Sequence, residues 1–379
     1  MINGDRVKQA RELRGLTQAE LAGAIGVSQA AVAQIEAGLT EPTERHLEAI
    51  ALQTKLPPSF FRQRTAVDFP LGSLLFRSRK ALTMRDRLVA HAYGRLMYEV
   101  VETILAPRTT GYPVRIPRLT DDPVTAARVT RSELGLSPDT PISNVINAGE
   151  KGGILVLALP TMVPSADAYS VWAHAETEKP VIVVTGGAPG DRLRLSVAHE
   201  LGHLVMHRTL RRSAAPGPLE ADAFTFAAEF LMPESTMRDQ LPSPLTLETL
   251  APLKRRWGVS IQALIRRGRD LALITERQYR YLFEQLSARG WRTREPSGLD
   301  VPIEKPRAVR KMVEVLYGTP IDYHRLADDT NLSVPLVKQI MEAHAERGDM
   351  VATVRAEMPV PRNMLQFARR GPSTERHDG

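Results

Sequence analysis

Residues 196–207 read SVAHELGHLVMH, and the rest of the chain is organised around this run. His199 and His203 are four positions apart, so on an α-helix their side chains share one face, a turn apart, and can grip a single metal ion. Glu200 stands beside the first of them. Two imidazoles on Zn2+ with a carboxylate next to the activated water form a donor set suited to hydrolysing a peptide bond. The ion makes water a nucleophile at neutral pH, and the carboxylate takes its proton. Val197, Ala198, Leu201, Leu204 and Val205 give the helix an apolar body, and Gly202 removes bulk beside the second histidine. His207 lies one turn further along the same stripe. Eight residues of straight helix separate it from His199 by about 12 Å, too far for one ion about 2 Å from each nitrogen. It reads as a packing residue or as a partner of a ligand.

The chain has 379 residues, 43% hydrophobic and 25% charged, enough for two or three globular domains. It contains no cysteine, so a metal must be held by His, Glu or Asp and disulfides are excluded. The charged start MINGDRVKQARELRG has no apolar signal core, and no run approaches a membrane span, which leads us to expect a cytoplasmic protein without a membrane partner. A net charge of +7 and a pI near 9.7 point to a polyanion among the partners.

Residues 1 to about 56 read as four short helices. Thr17 caps QAELAGAI, with Glu20 completing a capping box; Gly26 makes a turn; Ser28 caps QAAVAQIEAG; Thr43 caps ERHLEAIALQT. Leu16, Leu21, Ala22, Ile25, Val27, Val32, Ile35, Leu47 and Ile50 are the expected core. Two short helices joined by a glycine turn make a helix-turn-helix, whose exposed second helix enters the DNA major groove. That helix starts with Ser28, Gln29, Ala30 and Ala33, with Gln34 further on. The order T-Q-x-E-L-A, Gly26, S-Q-x-x-V-x-x-I-E-x-G resembles the XRE family of phage-repressor-type DNA-binding domains over residues 5–54. The resemblance implies a phosphate contact for Gln18, base edges for Gln29, Ala30 and Gln34, a double-stranded DNA operator and a homodimer. Arg6, Lys8, Arg11 and Arg14 suit phosphate contacts.

Beyond Pro57-Pro58, residues 59–82 mix aromatics with arginines and read as a partly structured connector. A long helix is expected from Thr83 to Leu105, as a dimer arm or as a brace for the next domain, and another from Thr120 to Leu136. Strands are expected at Gly153–Leu159, Ala168–Ala173 and Pro180–Thr185, the third feeding the metal-binding helix, with an extended substrate pairing on the sheet edge. Arg211–Pro218 reads as a mobile loop before a helix, LEADAFTFAAEFLMP, that must supply any third ligand. Glu220, Asp222 and Glu229 are the candidates. Asp222 is short, and Glu220 and Glu229 lie on opposite sides of the helix. Residues from about Glu150 to Pro233 are similar to the ImmA/IrrE family of metallopeptidase-like domains. The similar motifs are A-x-S-x-W at Ala168, Ser170 and Trp172, then R-x-R-x-x-x-A-H-E-x-G-H, then E-x-x-A-x-x-F-A-A-E-x-L-M-P. This resemblance implies that Glu220 is the third ligand and that Glu229 belongs to packing.

Further helices are expected at Leu245–Trp257, Ser260–Arg269 and Thr275–Arg289. The first two have a helix-turn-helix rhythm that we read as packing. A polar, Pro-rich link follows, then a small helical unit. The expected class is α+β: residues 1–58 an all-α helix-turn-helix domain, 59–146 a helical connector, 147–295 a zincin-like domain with a small sheet, 305–358 a small helical unit, 359–379 a disordered tail. The expected function is a DNA-binding regulator whose zinc site, with His199, His203 and Glu220 as ligands and Glu200 as base, makes a limited cut in a protein substrate such as a repressor. The alternative is a regulator whose peptidase-like domain senses a metal or ligand without proteolysis. The family resemblance implies control of a stress response or a mobile element. Tyr169, Trp172 and His207 are candidates for stabilising the oxyanion.

Overall fold

The computed structural model describes residues 1–64, 67–72, 83–105, 113–119, 122–161, 163, 168–175, 178–208 and 216–346. The first four helices are α1 (Gly4–Leu13), α2 (Gln18–Ile25), α3 (Gln29–Glu36) and α4 (Glu44–Thr54). Each begins where a short polar side chain can accept a free backbone N–H: Asn3 takes Asp5, Thr17 takes Glu20, Ser28 takes Ala31 and Thr43 takes His46. Gly26, at φ 75°, ends α2 in a left-handed conformation and turns the chain into α3. Val7, Leu21, Val32, Leu47 and Ile50 are buried together. Phe60 and Phe61, expected in the connector, are fully buried in the same cluster. They sit on a 3-10 turn at Pro58–Arg62, and Asn3 N–H donates to the Phe61 carbonyl at 2.8 Å.

The long helix α5 spans Met84–Leu105. Ala92, Leu96, Val100 and Ile104 are all buried, and they belong to one apolar cluster with the four-helix core, one face of the sheet and the C-terminal helices. Its stripe is therefore covered from within the chain, so α5 is the brace and not a dimer arm. Polar ties fix it to α1. Glu99 accepts from Arg6, from Gln9 at 3.0 Å and from Arg95 at 3.1 Å, and Arg95 also reaches Asp5 at 2.5 Å.

Strands β1 (Leu155–Ala158), β2 (Ala168–His174) and β3 (Glu178–Val184) form a sheet in the order β1-β3-β2, with β1 parallel and β2 antiparallel to β3. The strand that leads into the metal-binding helix, β3, is central, so the edge nearest the site belongs to β2. Alternation sends the two faces to different cores. Leu157, Tyr169, Val171, Val181 and Val183 join the α5 cluster; Val156, Ala158, Ala168, Ile182 and Val184 join a second cluster under the HExxH helix.

That second core is built from α6 (Pro123–Glu133), α7 (Val145–Lys151), α8 (Gly190–Met206), α9 (Pro216–Leu231), α10 (Glu234–Gln240), α11 (Leu247–Trp257), α12 (Ile261–Asp270) and α13 (Glu276–Ala288). Asp122 caps α6, while Thr120 lies outside the described residues. Pro216–Pro218, expected in a loop, form the first turn of α9, where proline's missing N–H costs nothing. Residues 211–215 of that loop lie outside the described residues. The Pro-rich link is docked: Glu295 pairs with buried Lys254 at 2.9 Å, and Glu304 accepts from Arg194 and from the Ile146 N–H at 3.0 Å.

Finally α14 (Ala308–Tyr317), α15 (Tyr323–Thr330) and α16 (Val334–Ala343) pack into the first core. His344 is fully buried. It accepts from the Ala158 N–H at 3.0 Å and donates to the Ile340 carbonyl at 2.8 Å, and burial pushes its pKa down to about 4. The expected tail at 359–379 lies outside the described residues.

Glu99→Ala strands the buried Arg6 guanidinium without a counter-charge. The expected loss is about 3–5 kcal/mol, read as a lower urea midpoint with the fluorescence of the full chain.

Candidate metal centre and nucleic-acid interface

On α8 the Nε2 atoms of His199 and His203 come within 3.1 Å of each other. From α9, Glu220 brings one carboxylate oxygen to 3.4 Å from His199 Nε2 and the other to 3.2 Å from His203 Nε2. One ligand atom from each residue lies within 4.8 Å of the other two. Zinc donors about 2.1 Å from a tetrahedral ion lie roughly 3.4 Å apart, so this spacing fits that ion. Glu220 Oε1 is buried and makes no hydrogen bond, which a cation would relieve. Burial raises the carboxyl's pKa, but the two histidines that face it outweigh this and hold the group below the usual carboxylate range.

The close approach of α9 is what delivers Glu220. A Cβ on Gly202 would meet the Phe226 ring at 3.0 Å, so the glycine makes room for α9 more than for a ligand. Glu229, nine residues on, turns away to Arg128 at 2.8 Å and to Arg267, and it is buried. Asp222 is half exposed, 4.0 Å from His207 Nε2. His207 is the neighbour of a ligand: its Nδ1 is 2.9 Å from His203 Nδ1. Burial, then the charges of His203 and His199, push its pKa down to about 4. Neutral, it shares a single proton with His203, which fixes that ring's tautomer.

Glu200 is fully buried, and Ser170 Oγ on β2 donates to its Oε2 at 2.8 Å. Ser170 enters the sequence reading only as part of a motif, because its contact with Glu200 crosses from strand to helix. Phe224 goes unread as well. One helical turn past Glu220, its ring lies 4.3 Å from that of His199 and is 44% exposed, an apolar wall beside the ligands. Two oxyanion candidates are otherwise engaged. Tyr169 points into the other core and donates to the Ala90 carbonyl at 3.0 Å, and Trp172 Nε1 donates to the Leu204 carbonyl at 3.2 Å.

On α3, Ser28, Gln29, Ala30 and Gln34 are exposed and Ala33 is half-buried. Ser28 Oγ accepts from Ala31 N–H as the cap. Gln18 is half-buried and donates to Glu36 at 2.9 Å, and Glu36 also receives Arg11. The arginines expected to face phosphates are used inside the protein: Arg6 on Glu99, Arg11 on Glu36, Arg14 on the Thr54 carbonyl at 2.6 Å. Only Lys8 of that set is exposed. Residues 1–58 carry six Lys and Arg against seven Asp and Glu, whereas residues 59–82 carry five against one and residues 247–295 eleven against five, so the basic surplus lies in those two stretches.

Replacing Glu220 by Ala is expected to abolish stoichiometric zinc, and His207→Ala to weaken zinc by roughly 10–100-fold, both measured by competition with a chromophoric chelator.

The helix-turn-helix family model matches residues 7–61, and the model of the IrrE N-terminal-like domain matches residues 150–268. No curated protein matches the chain. The two matches give the arrangement that the motifs imply: an XRE-type helix-turn-helix domain joined to an ImmA/IrrE metallopeptidase-like domain in one chain.

Proposed function

We propose that this DNA-binding regulator makes a limited, zinc-dependent cut in a partner protein, with a repressor as the first candidate. The observation that carries the reading is the convergence of Glu220 on His199 and His203 with Glu200 intact beside them. Zinc held by these three side chains would supply Lewis acidity toward water and the scissile carbonyl. Glu200 takes a proton from the attacking water and hands it to the leaving amine, while Ser170 holds its carboxylate in place. Phe224 gives the substrate an apolar contact beside His199. At the other end of the chain, Gln29 and Gln34 read adenine edges and Ala30 packs on a thymine methyl. The protein binds its operator as a homodimer through a surface other than α5.

One observation favours a second reading, a metal-dependent sensor without hydrolysis: Glu200 is fully buried and engaged by Ser170. Glu200→Gln separates the two. It should retain full zinc and lose roughly 10²–10⁴-fold in cleavage of co-expressed repressors. Equal zinc and equal regulatory output from variant and wild type would sink the peptidase reading. For the DNA half, Gln29→Ala should cost about 1–3 kcal/mol on the operator and leave random duplex binding nearly unchanged in titrations at fixed salt. A uniform loss on both duplexes would argue against base reading.

A further inference from the structure

The outer edge of β2 is where an extended substrate would pair, and part of the chain already lies on it. Asp68 N–H donates to the His174 carbonyl at 2.8 Å, and His174 N–H donates back to the Asp68 carbonyl at 2.9 Å. Four residues on, Gly72 lies against Ser170: at its φ of 53° a Cβ would be 2.1 Å from the Ser170 carbonyl oxygen. Both juxtapositions fit one antiparallel register, which sets Pro70 opposite Trp172. Since His174 turns its backbone groups outward, so do Trp172 and Ser170, two and four residues before it. Pro180 on β3, opposite Trp172, agrees with this, because no donor is needed there. The segment therefore runs along β2 from the residue bonded to Leu204 to the residue bonded to Glu200.

We propose that the outer edge of β2 is a peptide-binding edge whose resident occupant is the chain's own Val67–Gly72 segment, and that an extended peptide substrate enters by exchanging with it. This rests on the peptidase reading for the identity of the incoming peptide, and on backbone geometry for the rest. The resident is anchored by a side chain more than by a ladder. Phe69 is buried beside Tyr98 and His91, and His91 Nε2–H donates to the Phe69 carbonyl at 2.8 Å. Pro70 brings no N–H to Trp172, so the pairing is interrupted after one bridge. A substrate with an ordinary residue there makes a bond that the resident lacks. Upstream of it, Asn3 donates to the Gln63 carbonyl at 3.0 Å and Arg6 on α1 to the Arg64 carbonyl at 3.2 Å. The helix-turn-helix domain thus holds the chain three residues before the segment that covers the edge.

The test uses full-length protein carrying Glu200→Gln, alone and with Gly72→Val, which puts a branched side chain where the backbone φ and the Ser170 carbonyl forbid it. Hydrogen exchange at His174, whose N–H is bonded to the Asp68 carbonyl, should accelerate about ten-fold or more in the double variant, with Tyr169, Val171 and Ala173, which face β3, unchanged. A fluorescein-labelled VDFALG peptide, copied from residues 67–72 with Ala for Pro70, should bind the double variant at least ten-fold more tightly than Glu200→Gln alone. Asp68→Pro, which deletes one bridge donor without touching Gly72, should move both readouts the same way, so a poorly folding valine variant does not end the test. Unchanged exchange at His174, or equal peptide binding by all three proteins, overturns the proposal. No readout depends on turnover. Peptide bound but left intact by Gly72→Val with Glu200 present defeats the peptidase reading and leaves the edge assignment standing.

Discussion

A carboxylate from one helix has to reach two imidazoles on another, and much of the molecule on that side of the sheet follows from how close α8 and α9 come. Gly202 sets the distance by letting the Phe226 ring lie where any side chain would intrude. At that separation Glu220 meets His199 and His203, and helix periodicity decides what its neighbours do. Nine residues is two and a half turns, so Glu229 is thrown to the far side of α9, where Arg128 and Arg267 neutralise it. The same helix carries one acid toward the ligands and buries another as a strut, and exchanging their roles would leave a charge uncompensated in each place.

The electrostatics divide differently from what the overall charge implies. A pI near 9.7 beside a helix-turn-helix invites the view that the DNA-binding domain is basic. Its arginines instead form internal pairs with Glu36 and Glu99, and the domain's own acids outnumber its bases by one. Specific side chains on α3 can still read bases, since hydrogen-bonding edges and methyl contacts need no net charge. Non-specific attraction to a polyanion, by contrast, must draw on charge elsewhere, and the surplus lies in residues 59–82 and 247–295.

What the sequence made legible was local. Caps at Thr17, Ser28 and Thr43, the left-handed Gly26 and the i, i+4 pair His199 and His203 depend on residues a few positions apart, so their geometry follows from helix parameters alone. The third ligand was not local. Residue reading left Glu220, Asp222 and Glu229 open, and only a family resemblance chose among them. Contacts across the sheet were illegible for the same reason. Ser170 reaches Glu200 thirty residues later, Phe60 and Phe61 close a core begun at Val7, and Asp68 pairs with a strand more than one hundred residues on. A short, proline-interrupted stretch such as residues 67–72 gives no strand signal, because it pairs through a single bridge and is held by one buried phenylalanine.

Among the described residues the sheet has three strands, and that gives β2 an unusual position. Period-two alternation makes each residue report to a different core. Tyr169 is locked under α5 by its hydroxyl, Ser170 holds the buried glutamate on α8, Val171 returns to the α5 side, and Trp172 is tied to the end of the metal-binding helix. Because α5 is bound to α1 through Glu99, the first core is continuous from the helix-turn-helix to one face of this strand. A displacement of β2 by even a fraction of an ångström therefore cannot be absorbed on one side alone. Close-packed interiors transmit such shifts, and β2 is held from both faces at once, by the core that includes the helix-turn-helix domain and by the hydrogen bond from Ser170 to Glu200.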